Sequence, residues 1–131
     1  MTKGRCGGWK KFPPDLEQGT FRLSNGEFGW TREQVPRVVH VLVEHNLGIL
    51  GGELWWVPPG ADTFDLIPQA DGIRACYTWT TEQRPDEPWP DFVRRSAAES
   101  LAAVEKWRAL GDIPADVPGR ILYNLTWNMG F

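Results

Sequence analysis

The chain has 131 residues, a net charge of −3, 41% hydrophobic and 24% charged residues, and eight tryptophans against two tyrosines. Its length fits one domain, and surface scaling has folding reduce about 21,600 Å² of extended surface to about 7,000 Å². The aromatic content excludes a low-complexity disordered chain, and a net −6 over residues 53–91, against +3 over residues 1–37, disfavours general nucleic-acid binding and favours a basic partner or a cation.

Residues 1–19, rich in Gly, Lys and Pro, read as an irregular N-terminal arm of a single domain spanning 1–131, with Trp9 and Phe12 placed to pin it. Met1 to Trp9 is basic but lacks the apolar stretch of an export signal. No run approaches the ~18 apolar residues of a membrane span, so no membrane association and a cytoplasmic location are expected. Cys6 and Cys76 fit no CxxC or zinc-ligand pattern, and Cys76, in an apolar strand pattern, reads as a buried thiol. Over residues 20–30, Ser24-Asn25-Gly26 between two apolar-alternating runs predicts a hairpin, because both central positions of an Asn-Gly turn accept positive φ.

A helix is predicted over 31–46. Thr31 and Gln34 have capping-box spacing, and Pro36 sits near the first turn, where a missing N–H costs least. Val35, Val38, Val39, Leu42 and Val43 recur at helical spacing, and Asn46 and Gly48 are stop residues. The β-branched run lowers intrinsic helix propensity, so packing must hold this helix. Residues 49–57 turn through Gly51-Gly52 into a strand that Pro58-Pro59-Gly60 ends, and Asp62 to Pro68 is expected to contain a short strand through Phe64 and Leu66. Residues 73–81 alternate as a strand with Ile73, Ala75, Tyr77 and Trp79 on one face. Residues 82–91, with three prolines and four acids, form a loop. The strongest helix signal covers 90–110, with Gly111 and Pro114 just beyond. Residues 120–127 form a last strand, with Ile121, Tyr123, Leu125 and Trp127 sharing a face.

This order predicts an α+β fold, a mainly antiparallel sheet of about five to six strands with two principal helices, 31–46 and 90–110, on one face. The strands flanking the second helix are candidates for parallel neighbours through a right-handed crossover.

The chemistry-bearing motifs are sparse. His40 and His45 are five positions apart, about 140° around a helix, whereas a zincin pair needs i,i+4. They read as structural residues, and no metal or cofactor is expected. Gly48 to Gly52 lacks the Lys-Ser/Thr of a phosphate loop, and no G-x-S-x-G is present. No catalytic residue is assigned, and the balance leans away from an enzyme. Glu53 enters an apolar strand and shares a face with Trp55. With Tyr77 and Tyr123 these two define a candidate pocket for a sugar or nucleotide, or for hydrolysis. Trp55, Trp79 and Trp127 read as core. Trp56 and Trp89, with the acids Asp86, Glu87 and Asp91, read as a candidate protein-binding surface, an aromatic anchor with a polar rim.

Three segments carry a resemblance: Leu50-Gly51-Gly52-Glu53-Leu54-Trp55-Trp56, Trp89-Pro90-Asp91-Phe92-Val93-Arg94-Arg95-Ser96 and Tyr123-Asn124-Leu125-Thr126-Trp127. Over roughly the last two-thirds of the chain, they resemble in style the small uncharacterised bacterial proteins that accompany polymorphic toxins as immunity proteins. The resemblance implies a non-catalytic, stoichiometric inhibitor whose acidic, Trp-containing surface meets a basic toxin. The alternatives are the small-molecule binder or hydrolase described above and an oligomeric adaptor subunit whose exposed apolar strand pairs with another chain.

Overall fold

The computed structural model describes residues 12–68, 72, 74–75, 77–110 and 118–128. Cys6, Trp9, Ile73, Cys76, Gly111 and Pro114 lie outside these residues. Within the segment expected to be irregular, Pro14–Leu16 winds one 3-10 turn and buries Leu16. The Asn25-Gly26 signal gives the expected hairpin. Gly26 takes φ 92°, Leu23 N–H donates to the Glu27 carbonyl at 2.8 Å, and β1 (Phe21–Arg22) pairs antiparallel with β2 (Phe28–Gly29).

Helix α1 runs Val35–Glu44, inside the expected 31–46. The capping side chain sets its entry: Gln34 Oε1 accepts the Thr31 N–H at 2.9 Å, so residues 31–34 form a turn and the helix proper starts behind it. Val35, Val38, Val39, Val41 and Leu42 are buried, which is how packing overrides the poor propensity of β-branched residues. Asn46, at φ 58°, stops the helix in the left-handed conformation that Asn tolerates.

Strand β3 (Gly48–Val57) is the centre of the sheet. It pairs antiparallel with β6 (Tyr77–Thr80) on one side and β7 (Arg120–Asn128) on the other, giving the order β6-β3-β7. An antiparallel bridge between Trp30 and Tyr123 attaches the hairpin to the outer edge of β7. A ribbon of β4 (Ile67–Pro68) and β5 (Arg74–Ala75) is tied to the far end of β3 by the Trp56–Asp65 bridge. Of the strand expected over 73–81, the described residues 74–75 (β5) pair with β4 and 77–80 (β6) pair with β3, and the short strand expected through Phe64 and Leu66 falls at Ile67–Pro68. Helix α2 (Trp89–Leu110) connects β6 to β7. Both strands are antiparallel to β3 and run parallel to each other. They are not neighbours, however, because β3 lies between them. The fold class is the one expected, an α+β domain whose strand pairings are antiparallel among the described residues.

The register sorts the side chains. Directly opposed residues point to the same face. Gly52, Leu54 and Trp56 share one face with Tyr77, Trp79, Ile121, Tyr123 and Leu125, and Glu53 and Trp55 share the other with Thr78, Leu122 and Asn124. Helices α1 and α2 cover the first face. Trp107 of α2 sits on Tyr77, Trp79 and Tyr123 with ring centroids 5.5, 5.4 and 6.3 Å away. The adjacent Phe12, Phe28, Trp30 and Trp127 form a second aromatic nest, each pair 5.3–6.4 Å apart. Rings at these separations contribute about 0.5–1.5 kcal/mol per pair beyond area burial. The accessible surface is 7381 Å², as the chain length predicts. Trp79 and Trp127 thus belong to the helix-covered side. Trp55 does not: it is half-buried on the outer face and stacked on Phe64 at 5.7 Å and 9°. Adjacent strand residues must face opposite ways, and here the helices cover the side that Trp56 takes.

Two buried serines fit α2 to the sheet. An extra residue at Leu50 breaks the β3–β7 register, and beside this bulge Ser96 Oγ accepts the Ile49 N–H at 3.0 Å. Ser100 Oγ accepts the Trp79 indole N–H at 3.1 Å. The close approach of α2 also requires Gly48, where a Cβ would lie 2.6 Å from the Phe92 ring. Among the described residues, no helix is long and apolar enough to cross a membrane.

Candidate functional site

The acidic loop between β6 and α2 is held by one side chain. Arg95, on the second turn of α2, donates two hydrogen bonds to Glu87, at 2.8 Å to Oε2 and 2.7 Å to Oε1. The same guanidinium donates to the Glu82 carbonyl at 2.8 Å and to Glu99 Oε2 at 2.9 Å. This is the bidentate fork geometry in which arginine differs from lysine. The Glu87 side chain is only 10% exposed and that of Arg95 20%. Glu87 also closes the loop on itself, accepting the Arg84 N–H at 3.1 Å on Oε1 and the Gln83 amide at 2.7 Å on its carbonyl. Its carboxyl is held down at about 2, chiefly by the hydrogen bonds from Arg95, against a smaller opposing effect of desolvation. The Arg95 guanidinium is pushed up by its bonds to Glu87 and Glu99.

Trp89 anchors the other end. Its indole N–H donates to the Asn46 carbonyl at 2.9 Å, and its ring lies 5.3 Å from Phe92 and over Gly48. The ring is half-buried, so part of it remains at the surface beside the loop. Glu82, Asp86 and Asp91 are exposed, with Pro85, Pro88 and Pro90 between them. Asp91 pairs with Arg94 at 2.7 Å in water, an ion pair of small energetic weight. The result is an acidic rim fixed in place on the amino-terminal turn of a long helix.

Four of the five residues expected to bind a partner, Asp86, Glu87, Trp89 and Asp91, thus lie together. Glu87 faces inward to Arg95. The fifth, Trp56, is elsewhere: its indole N–H donates to the Pro118 carbonyl at 2.7 Å, and β3 alone separates it from Gly48, beneath Trp89, by about 26 Å. The four residues expected to line one pocket fall into two pairs on opposite faces of the sheet. Glu53 accepts the Trp55 indole N–H at 2.8 Å on the outer face. Tyr77 and Tyr123 lie under Trp107, where burial pushes the Tyr123 hydroxyl up. A depression of about 390 Å³ on the outer face is lined by Glu53 with Leu50, Thr78, Thr80 and Thr126, and neither tyrosine reaches it.

Two features had little or no signature in the sequence. Arg95 shows only its i,i+4 spacing to Glu99. A cleft of about 500 Å³ between the hairpin and β7, lined by Phe12, Arg22, Asn25, Phe28, Thr126 and Trp127, depends on contacts between distant segments. His40 pairs with Glu44 at 3.2 Å and His45 with Asp15 at 3.9 Å, and all four are exposed, so neither histidine is packed. Among the described residues no group of three or more His, Cys, Asp or Glu is gathered as a metal site. Comparison with protein-family models, with curated proteins and with solved structures gives no match.

Proposed function

We propose that this chain is a non-catalytic protein-binding module, an immunity-type inhibitor that takes up a basic bacterial toxin in the cytoplasm. The observation that carries this reading is the Arg95 grip on the acidic loop. Binding costs free energy for every loop and side chain that must be ordered, and a surface already held in place avoids that cost. The exposed Glu82, Asp86 and Asp91 supply the field that steers a cationic partner, and the accessible part of Trp89 supplies an aromatic contact beside them. The shifted groups support the same reading. Glu87 and Arg95 satisfy each other, and Tyr123 is sealed beneath Trp107, so their shifts have structural causes.

The test is affinity capture from the native lysate, followed by identification of the recovered protein and its expression alone and together with this chain. The expected result is one basic protein that is toxic alone, harmless in co-expression, and lost from capture by Asp86→Lys/Asp91→Lys. A folded double variant that still captures and neutralises the same protein removes the acidic loop from the interface.

A further inference from the structure

We infer that the cleft between the hairpin and β7 is a strand-addition slot, which takes an extended segment of a partner protein as an extra antiparallel strand on β7. It lies on a different part of the sheet from the acidic loop and does not depend on it. Trp30 and Tyr123 exchange both their hydrogen bonds, at 2.9 and 2.7 Å. Direction alternates along a strand, so the N–H and C=O groups of Leu125 and Trp127 also point to this outer edge. Continued pairing would set Phe28 against Leu125. It does not continue, because Asn124 donates its side-chain amide to the Phe28 carbonyl at 2.7 Å. The hairpin is thereby held off β7, and the ladder stops at the Trp30–Tyr123 bridge.

Leu125 and Trp127 are 1% and 2% exposed, yet among the described residues no backbone hydrogen bond is made to their outer edge. The Trp127 indole N–H is likewise buried without a hydrogen-bond partner. Buried donors without partners are rare and costly, and an unpaired strand edge is the feature that recruits another strand.

The shape of the slot selects its occupant. The edge from Asn124 to Trp127 is about 13 Å long, room for about four extended residues. The rings of Phe12, Phe28 and Trp127 form the apolar part of the cleft lining, and Arg22, Asn25, Glu27, Asn124 and Thr126 the polar remainder. An entering strand alternates its side chains, so it places an apolar residue against the rings at every second position. A second copy of this chain is disfavoured, because its own β7 edge is recessed behind its own hairpin and two such edges do not meet.

The test uses the full chain as bait for a displayed library of random linear twelve-residue peptides, with amide exchange read by NMR. Selected peptides are expected to have apolar residues at alternate positions and to slow exchange at Leu125 and Trp127 by about tenfold or more. Methylating peptide nitrogens one at a time is expected to weaken binding about tenfold at every second position and little between them, which reads the hydrogen-bond pairing without altering the protein. Failure to select any peptide overturns the inference. So does binding that leaves Leu125 exchange unchanged, or a methylation scan without the two-residue period. Protection of both amides in the free monomer places a segment of this same chain in the slot, and protection that grows with concentration places a second copy there. Either outcome also overturns it.

Discussion

At the residue scale, Glu87 shows how a carboxylate in an acidic run can be a structural group. Its side chain is enclosed, and Arg95 meets it with two short hydrogen bonds. Folding moves its carboxyl from the ordinary 4.5 down to about 2. The stabilisation this provides is therefore complete above about pH 4.5 and is lost as the pH falls toward 2. Glu87→Gln removes that ionisation. In urea titrations at a series of pH values, the wild-type protein is expected to lose stability between pH 4.5 and 2 more steeply than the variant. Parallel curves across that window would show that the Arg95 contact does not perturb Glu87. The acidic run itself was plain in the sequence. Which acid turns inward was not, because that depends on a guanidinium delivered from another element.

At the element scale, the fit between α2 and β3 depends on Ser96. The bulge at Leu50 disturbs the ladder, and the Ser96 hydroxyl takes the Ile49 N–H that lies beside it. Ser96→Ala leaves that buried N–H without a partner, for which about 1–3 kcal/mol of destabilisation is expected in chemical denaturation. A loss within about 0.3 kcal/mol would mean that β3 re-forms its ladder without the serine. The same region separates what sequence pattern reveals from what it hides. The Asn25-Gly26 hairpin, α1 and α2 were legible because turn chemistry and helical periodicity are local. The bulge at Leu50 was not, since nothing in the local pattern marks one extra residue in a strand. The tryptophan pair at 55 and 56 was half legible. Strand geometry requires the two to face opposite ways, but it does not say which face the helices will cover. The candidate pocket failed for the same reason: Glu53 and Trp55 were paired by their own strand, whereas Tyr77 and Tyr123 took their side from the register of two others.

At the scale of the whole molecule, the tryptophan excess becomes intelligible. Helices cover one face of a three-stranded sheet, and two aromatic nests fill the space between, one around Trp107 and one spanning the hairpin. Trp89 is spent on locking the start of α2 to the end of α1. What this packing leaves at the surface is a fixed acidic loop at the start of α2. The central claim is that the loop binds because Arg95 holds it in place, and Arg95→Ala separates that claim from simple charge attraction. Removing the arginine makes the chain more acidic, so attraction alone predicts equal or tighter binding to a basic partner. Preorganisation predicts the opposite sign. With the captured partner titrated calorimetrically against both proteins, and circular dichroism confirming that the variant is folded, the account predicts an affinity loss of about tenfold or more. Unchanged or tighter binding by the folded variant would contradict it.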